Sequence, residues 1–151
     1  PNCRLAGTDV PLSTRLCAHH NSQGNTLYAV SFSASVPGAG KRLLKQATAL
    51  TQELGLRYCA GACRMPGLAV FAAQKCQPID EMVQEYAEAV VKRATMQAGE
   101  GLRIADPTLS VLLSVKGMKF YRLLKDYFHD GQSGNWAALV AYTNEAYQRA
   151  T

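Results

Sequence analysis

The change of hydrophobic period across residues 27–54 constrains the fold more than any other feature of this sequence. Over residues 27–36 the larger side chains alternate with small ones, mostly serine and alanine, as in a strand with one buried face. The members of that predicted buried face are Tyr28, Val30, Phe32, Ala34 and Val36. From Lys41 to Leu54 the leucines recur at helical spacing, which predicts an amphipathic helix. A strand, the Pro37–Gly40 bend and a helix are therefore predicted in succession.

The rest of the chain adds two strands and three helices to this unit. Short apolar runs at residues 57–63 and 68–75 predict strands, and Met65-Pro66-Gly67 between them has the composition of a turn. The two runs would therefore form a hairpin near 57–75. Amphipathic helices are predicted at residues 78–98, 106–128 and 136–149, on their apolar spacing and the prolines near two of their starts.

The predicted fold class follows from this order, β-α-β-β-α-α-α. A hairpin in a mixed order is typical of an α+β domain, with a small sheet of about three to four strands packed against four amphipathic helices. The length of 151 residues fits a single domain over residues 1–151. Residues 1–26 are rich in glycine, proline, asparagine and serine and are predicted to form a largely irregular N-terminal arm. No apolar run reaches the ~20 residues that a membrane helix requires.

The bend before the first predicted helix matches part of the sequence motif of a phosphate-binding loop. A nucleotide-hydrolysing loop ends in Gly-Lys followed by serine or threonine, whereas Arg42 replaces that hydroxyl here. What remains is a helix N-terminus with free N–H groups, close-approach glycines and cations, which favours an anion. The residues predicted to bind that anion are Gly38, Gly40, Lys41, Arg42, Lys45 and Arg57. A plain strand-to-helix turn is the alternative.

The net charge of +5 is unevenly distributed along the chain. Residues 1–79 carry eight basic against two acidic residues, and residues 80–151 carry eight against nine. Such a basic half favours nucleic acid, phosphates or an acidic protein partner, with a solvated surface as the alternative. A second basic surface is predicted on the 106–128 helix, where Lys119, Arg122 and Lys125 lie away from the apolar stripe and would contact a partner.

The five cysteines leave their redox state open. In the predicted hairpin Cys59 and Cys76 share one face, so disulfides Cys59–Cys76 and Cys3–Cys17 are predicted, with reduced packing cysteines as the alternative. No metal site and no cofactor are predicted, because Cys59-x3-Cys63 lacks a second matching pair. Pro1 after a removed methionine would indicate a cytoplasmic protein, and a processed chain with disulfides an extracytoplasmic one.

Three classes of function follow. The first is a small non-enzymatic interaction protein, namely an accessory, inhibitor, adaptor or assembly subunit, which would bind another protein or itself as a homo-oligomer. It is preferred because the sequence contains no paired carboxylates, triad or metal cluster. The alternatives are a nucleic-acid or phosphate-ligand binding module that uses the basic N-terminal half, and a small enzyme or toxin with a thiol or basic site drawn from Cys63, His20 and Lys41.

Overall fold

A computed structural model of the chain describes residues 21–30, 34–95 and 106–147. Within these residues it contains four strands and four helices. The strands are β1 (Thr26–Ala29), β2 (Tyr58–Arg64), β3 (Met118–Leu124) and β4 (Ala137–Thr143). The helices are α1 (Ala39–Glu53), α2 (Leu68–Gln74), α3 (Ile79–Thr95) and α4 (Leu109–Leu113). The predicted α+β class is correct at this level.

One sheet joins the four strands in the order β1-β2-β4-β3. β1 and β2 run parallel, with Tyr28 opposite Ala60 and Ala29 opposite Gly61. β4 is antiparallel to both of its neighbours, β2 and β3. Because β1 and β2 are parallel, the chain must cross from one end of the sheet to the other between them, and α1 makes that crossing.

The described helices all pack on one face of the sheet. The core that they share contains Leu44 of α1, Leu68 of α2, Val90 of α3 and Leu109 of α4. The sheet supplies alternate residues to this core, namely Cys63, Met118, Phe120, Leu123, Ala138, Val140 and Tyr142. We call this side the helix face, and the opposite side, which carries the intervening residues such as Ala60 and Ala62, the second face.

The predicted hairpin near 57–75 is wrong, because residues 68–74 form α2. Leu68, Phe71 and Ala72 are buried at helical spacing, and the three alanines of this segment favour a helix. The Met65–Gly67 turn therefore leads from β2 into a helix. Leu68 N–H donates to the Met65 carbonyl at 3.0 Å, which closes the turn.

The two C-terminal helix predictions are also wrong in part. Residues 109–113 form the short α4, and the chain then turns at Gly117, whose φ is +84°, into β3. Residues 137–143 form β4 in place of a helix. β4 pairs with a strand on each side, and Ala137, Ala138 and Val140 are all buried. A strand buried on both faces loses its alternation, so its pattern does not distinguish it from a helix.

A buried carboxylate joins three helices beneath the sheet. Asp106 is fully buried, and its Oδ1 accepts the N–H of Thr108 at 2.9 Å and of Leu109 at 2.7 Å. Its Oδ2 accepts the Tyr86 hydroxyl at 2.7 Å and the Gly67 N–H at 3.3 Å. Asp106 therefore caps α4 and at the same time connects it to α3 and to the start of α2.

Candidate functional site at the carboxyl edge of the sheet

Three segments meet at the edge where β1 and β2 end. α1 begins there, because it runs back along the sheet from the end of β1 to the start of β2. β4 begins opposite Arg64, the last residue of β2, so the 125–136 loop between β3 and β4 lies at the same edge. We call this end of the sheet the carboxyl edge. Ligands of open α/β sheets commonly bind outside the carboxyl ends of parallel strands.

The start of α1 offers unpaired backbone donors. Gly38 precedes the helix with φ +78° and provides no side-chain cap. Ala39 N–H donates to the Val36 carbonyl at 3.0 Å, and Arg42 N–H to the Gly38 carbonyl at 3.2 Å. Within the described ranges no acceptor is found for the N–H groups of Gly40 and Lys41. These donors and the positive end of the helix dipole favour an anion.

Cations surround these donors, and the backbone itself is accessible. Lys41, Arg42 and Lys45 are all exposed. A β-carbon added to Gly40 would contact only the Ala34 side chain, at an ordinary 3.8 Å, so the bend is open on that side. The structure places four of the predicted anion-binding residues at the tip of one helix, namely Gly38, Gly40, Lys41 and Arg42. Lys45 lies one turn further along the same helix.

Arg57 does not belong to this group. It precedes β2, and its N–H donates to the Asn25 carbonyl just before β1 at 2.8 Å. Arg57 therefore lies at the opposite edge of the sheet, a distance of about 20 Å along α1. There it borders a shallow depression together with Thr143, Asn144, Glu145 and Tyr147, and its guanidinium lies over the Tyr58 ring at 5.0 Å.

The predicted partner-binding residues lie on a strand instead of a helix. Lys119 and Arg122 belong to β3, which is an edge strand of the described sheet. Charged side chains on an edge strand discourage pairing with another chain. Lys125 follows β3, and its Nζ donates to Asp80 Oδ2 at 2.7 Å. The three residues thus do not form the helical surface that the sequence predicted.

β2 is longer than the described part of β1 at the carboxyl edge. The described pairing of β1 with β2 ends at Ala29 and Gly61, whereas β2 continues to Arg64 against β4. A β-carbon at Gly61 would lie 3.1 Å from the Ala29 carbonyl oxygen, so glycine allows the close approach of the two backbones. The extended backbone of β2 therefore reaches the carboxyl edge, where α1 begins.

Four residues that sequence reasoning missed form a continuous strip at this edge. The Tyr28 and Tyr127 hydroxyls are 2.5 Å apart, the Tyr127 and Phe128 rings meet edge to face at 4.7 Å, and the Arg64 guanidinium lies 5.4 Å from the Phe128 ring centre. We call these four residues the edge strip. Tyr28 was predicted to be buried but is 40% exposed, because the helices pack on the other face.

The cysteines of the described residues are free thiols. Cys59 and Cys63 are buried and Cys76 is exposed. The predicted Cys59–Cys76 disulfide is wrong, because Cys76 follows a helix and not the second strand of a hairpin. Cys3, Cys17, His19 and His20 lie outside the described residues. Burial, and secondarily the negative charge of Asp106, raises the pKa of Cys63 to about 12, which disfavours a thiolate nucleophile.

We expect iodoacetamide to modify Cys76 at neutral pH in the folded protein and to spare Cys59 and Cys63 until the chain unfolds, because the reagent needs an accessible thiolate. Peptide mass mapping measures this. The raised pKa of Cys63 also adds stability that is complete below the ordinary thiol value of 9.0 and is lost as the pH rises toward about 12. Equal labelling of Cys63 and Cys76 in the native state would contradict the described burial.

No described helix is long and apolar enough to cross a membrane. No protein-family profile matches the chain. The chain is 31% identical over 137 residues to YkwB of Bacillus subtilis (strain 168), an uncharacterized N-acetyltransferase, which covers 88% of this chain and 54% of YkwB. The chain therefore spans about half the length of this relative.

A solved structure shows the same fold. GphF, a GNAT-like decarboxylase in complex with isobutyryl-CoA, superposes with a TM-score of 0.60 over 86% of this chain and 62% of GphF, at 18% identity. The fold is therefore GNAT-like. YkwB is named as an N-acetyltransferase and GphF as a GNAT-like decarboxylase, and both names are those of enzymes. The prediction of a non-enzymatic interaction protein is wrong, and the nucleic-acid and thiol or toxin alternatives do not match either.

Proposed function

We propose that this chain binds an acyl-coenzyme A at the carboxyl edge and transfers the acyl group to an amine. The observation that carries the proposal is the start of α1, where unpaired backbone N–H groups, glycines and cations meet beside the end of two parallel strands. The relative YkwB is named as an N-acetyltransferase, and GphF holds isobutyryl-CoA on a similar fold.

The pyrophosphate of coenzyme A matches the tip of α1. It carries negative charge and acceptor oxygens, and the N–H groups of Gly40 and Lys41 supply donors at the positive end of the helix dipole. Gly40 allows the phosphate to approach the backbone, because its β-carbon position is open. The exposed side chains of Lys41 and Arg42 add the charge. This proposal retains the anion site predicted from the sequence, without Arg57.

The pantetheine arm matches the extended end of β2. It is a linear chain with two amides, so it can pair with an extended backbone as another strand would. β2 continues three residues past its last described pair with β1, from Ala62 to Arg64. An arm that follows this stretch from the tip of α1 brings the thioester to the carboxyl edge, next to the edge strip.

The transfer itself forms one bond and breaks one. The amine nitrogen attacks the thioester carbonyl, a carbon–nitrogen bond replaces the carbon–sulfur bond, the nitrogen loses a proton, and coenzyme A leaves as the thiol. The contribution of the chain is to hold the two reactants in contact, which alone accounts for a large part of the acceleration in such reactions.

Two measurements on the whole protein test this function. Isothermal titration with acetyl-CoA is expected to give saturable binding, and release of free coenzyme A thiol is expected to require an added amine. Absence of saturable binding would overturn the proposal. Carbon dioxide release from a malonyl-type thioester without thiol release would instead assign the decarboxylase chemistry for which GphF is named.

Replacing Gly40 with alanine separates folding from binding. The added methyl group meets only an ordinary 3.8 Å contact, and alanine is the better helix former by up to ~1 kcal/mol, so the free energy of unfolding is expected to stay equal or rise. Acetyl-CoA affinity is expected to fall about tenfold, because the methyl group stands between the backbone and the phosphate. Chemical denaturation and titration measure the two quantities, and an unchanged affinity would refute the phosphate position.

A further inference from the structure

A concave region lies at the edge of the sheet opposite the carboxyl edge, where β2 begins and β4 ends. It has a volume of about 360 Å³ and is lined by Arg57, Thr143, Asn144, Glu145 and Tyr147. Sites for small molecules commonly measure about 300–1,000 Å³, so this volume suits a small ligand. We call this region the amino-edge depression. The length of α1 separates it from the proposed coenzyme A site by about 20 Å.

A buried asparagine holds the two walls of the depression together. Asn144 is 5% exposed. Its backbone N–H donates to the Arg57 carbonyl at 2.8 Å, and its side-chain Nδ2 donates to the Leu56 carbonyl at 2.9 Å. Its Oδ1 accepts the Ala146 N–H at 3.1 Å, and its carbonyl accepts the Tyr147 N–H at 3.2 Å. The segment before β2 and the turn after β4 are therefore fixed to each other, so the depression is formed before a ligand binds.

Two opposite charges border the depression and are not paired with each other. Arg57 and Glu145 both line it, and both are exposed. Among the described residues no ion pair is found for either of them. The Arg57 guanidinium lies over the Tyr58 ring at 5.0 Å, which holds the cation at the rim and leaves its charge in place. A ligand can therefore bind the guanidinium through a carboxylate and the Glu145 carboxylate through an ammonium group.

The remaining lining is partly polar and partly aromatic. The Thr143 hydroxyl is 3.0 Å from the Tyr121 hydroxyl, so hydroxyl groups lie at one wall. Tyr147 is half-buried, and its ring supplies apolar surface next to the two charges. This combination favours a ligand that has charged groups at one end and an apolar part at the other.

We propose that the amino-edge depression binds an α-amino acid with an apolar side chain. The carboxylate of the ligand binds Arg57, its ammonium group binds Glu145, and its side chain packs on the Tyr147 ring. One carbon carries both charged groups of an α-amino acid, so a single small ligand satisfies both charges of the depression, whereas a simple anion or cation satisfies one. The site does not rest on the proposed function, because at about 20 Å along α1 its ligand is beyond the reach of acyl transfer at the carboxyl edge.

Three ligands of similar shape separate the two charge contacts. Leucine carries both charges, leucinamide carries the ammonium group alone, and 4-methylpentanoate carries the carboxylate alone. Each is titrated calorimetrically into the whole protein with coenzyme A present and absent. Leucine is expected to bind about tenfold more tightly than either analogue, as for gain of a charge-assisted hydrogen bond, and equally well with and without coenzyme A. No preference for leucine, or competition between leucine and coenzyme A, would overturn the proposal.

Three variants assign each contact to its residue. Arg57→Gln is expected to remove the preference for leucine over leucinamide and to keep the preference over 4-methylpentanoate. Glu145→Gln is expected to do the reverse, because it removes the partner of the ammonium group. Arg93→Gln makes the same charge change at an exposed arginine of α3, on the helix side of the sheet, and is expected to change either preference less than twofold. Preferences that survive in both depression variants, or that are lost equally in Arg93→Gln, would overturn the assignment.

Discussion

Lys41→Glu is expected to weaken acetyl-CoA binding by roughly 30-fold, or ~2 kcal/mol, because it replaces an attraction at the helix tip with a repulsion. Lys41 is exposed, so the substitution leaves the core unchanged and the free energy of unfolding is expected to shift by less than ~0.5 kcal/mol. Isothermal titration at low and moderate salt measures the effect. The difference between the two proteins is expected to shrink as salt is added, because exposed charges are screened.

Arg57→Glu is the matched control for Lys41→Glu. It makes the same charge change at an exposed basic residue, but at the opposite edge of the sheet. The sequence grouped both residues in one anion site, and the topology separates them. Acetyl-CoA affinity is therefore expected to be retained in Arg57→Glu. Equal losses in the two variants would indicate a general electrostatic effect and would contradict a site at the tip of α1.

Asp106→Ala is expected to cost about 4 kcal/mol of unfolding free energy, a large share of the total for a domain of this size. The carboxylate is fully buried and accepts hydrogen bonds from Tyr86 and from the backbone of Gly67, Thr108 and Leu109. Its removal leaves these donors buried without an acceptor and removes the cap of α4. Urea denaturation followed by far-ultraviolet circular dichroism measures the loss.

Asp80→Ala provides the comparison for that result. Asp80 also accepts two side-chain hydrogen bonds, from Lys125 and Trp136, and these bonds, that from Lys125 first, lower its pKa. It is exposed, so the loss of unfolding free energy is expected to be small beside that of Asp106→Ala. Similar losses for the two aspartates would show that burial is not what makes Asp106 important.

The helices α1 and α3 were predictable because their signals are local. The leucines of α1 have a helical period and a glycine before them, and the helix is observed at Ala39–Glu53 against a prediction of 41–54. The apolar spacing of α3 likewise predicted a helix over 78–98, and the helix is observed at Ile79–Thr95. Such patterns report structure directly, because each residue acts on its own neighbours along the chain.

The C-terminal part of the chain was not predictable, because tertiary contacts decide its structure. Residues 137–143 are rich in alanine, a strong helix former, but burial between two strands places them in the sheet. Tyr127 and Phe128 fell within the helix predicted over 106–128, yet they lie in the loop between β3 and β4 at the carboxyl edge. The edge strip brings together residues from β1, β2 and this loop, so no pattern within one segment could have predicted it.

The sheet order has a consequence for synthesis of the chain. β4 follows the other described strands in sequence but lies between β2 and β3 in space. Until the ribosome has released residues 137–143, β2 and β3 have no contact through the sheet, and the earlier part of the chain cannot close its core. The nascent protein therefore stays partly folded until β4 is available. During this delay it would most need a chaperone.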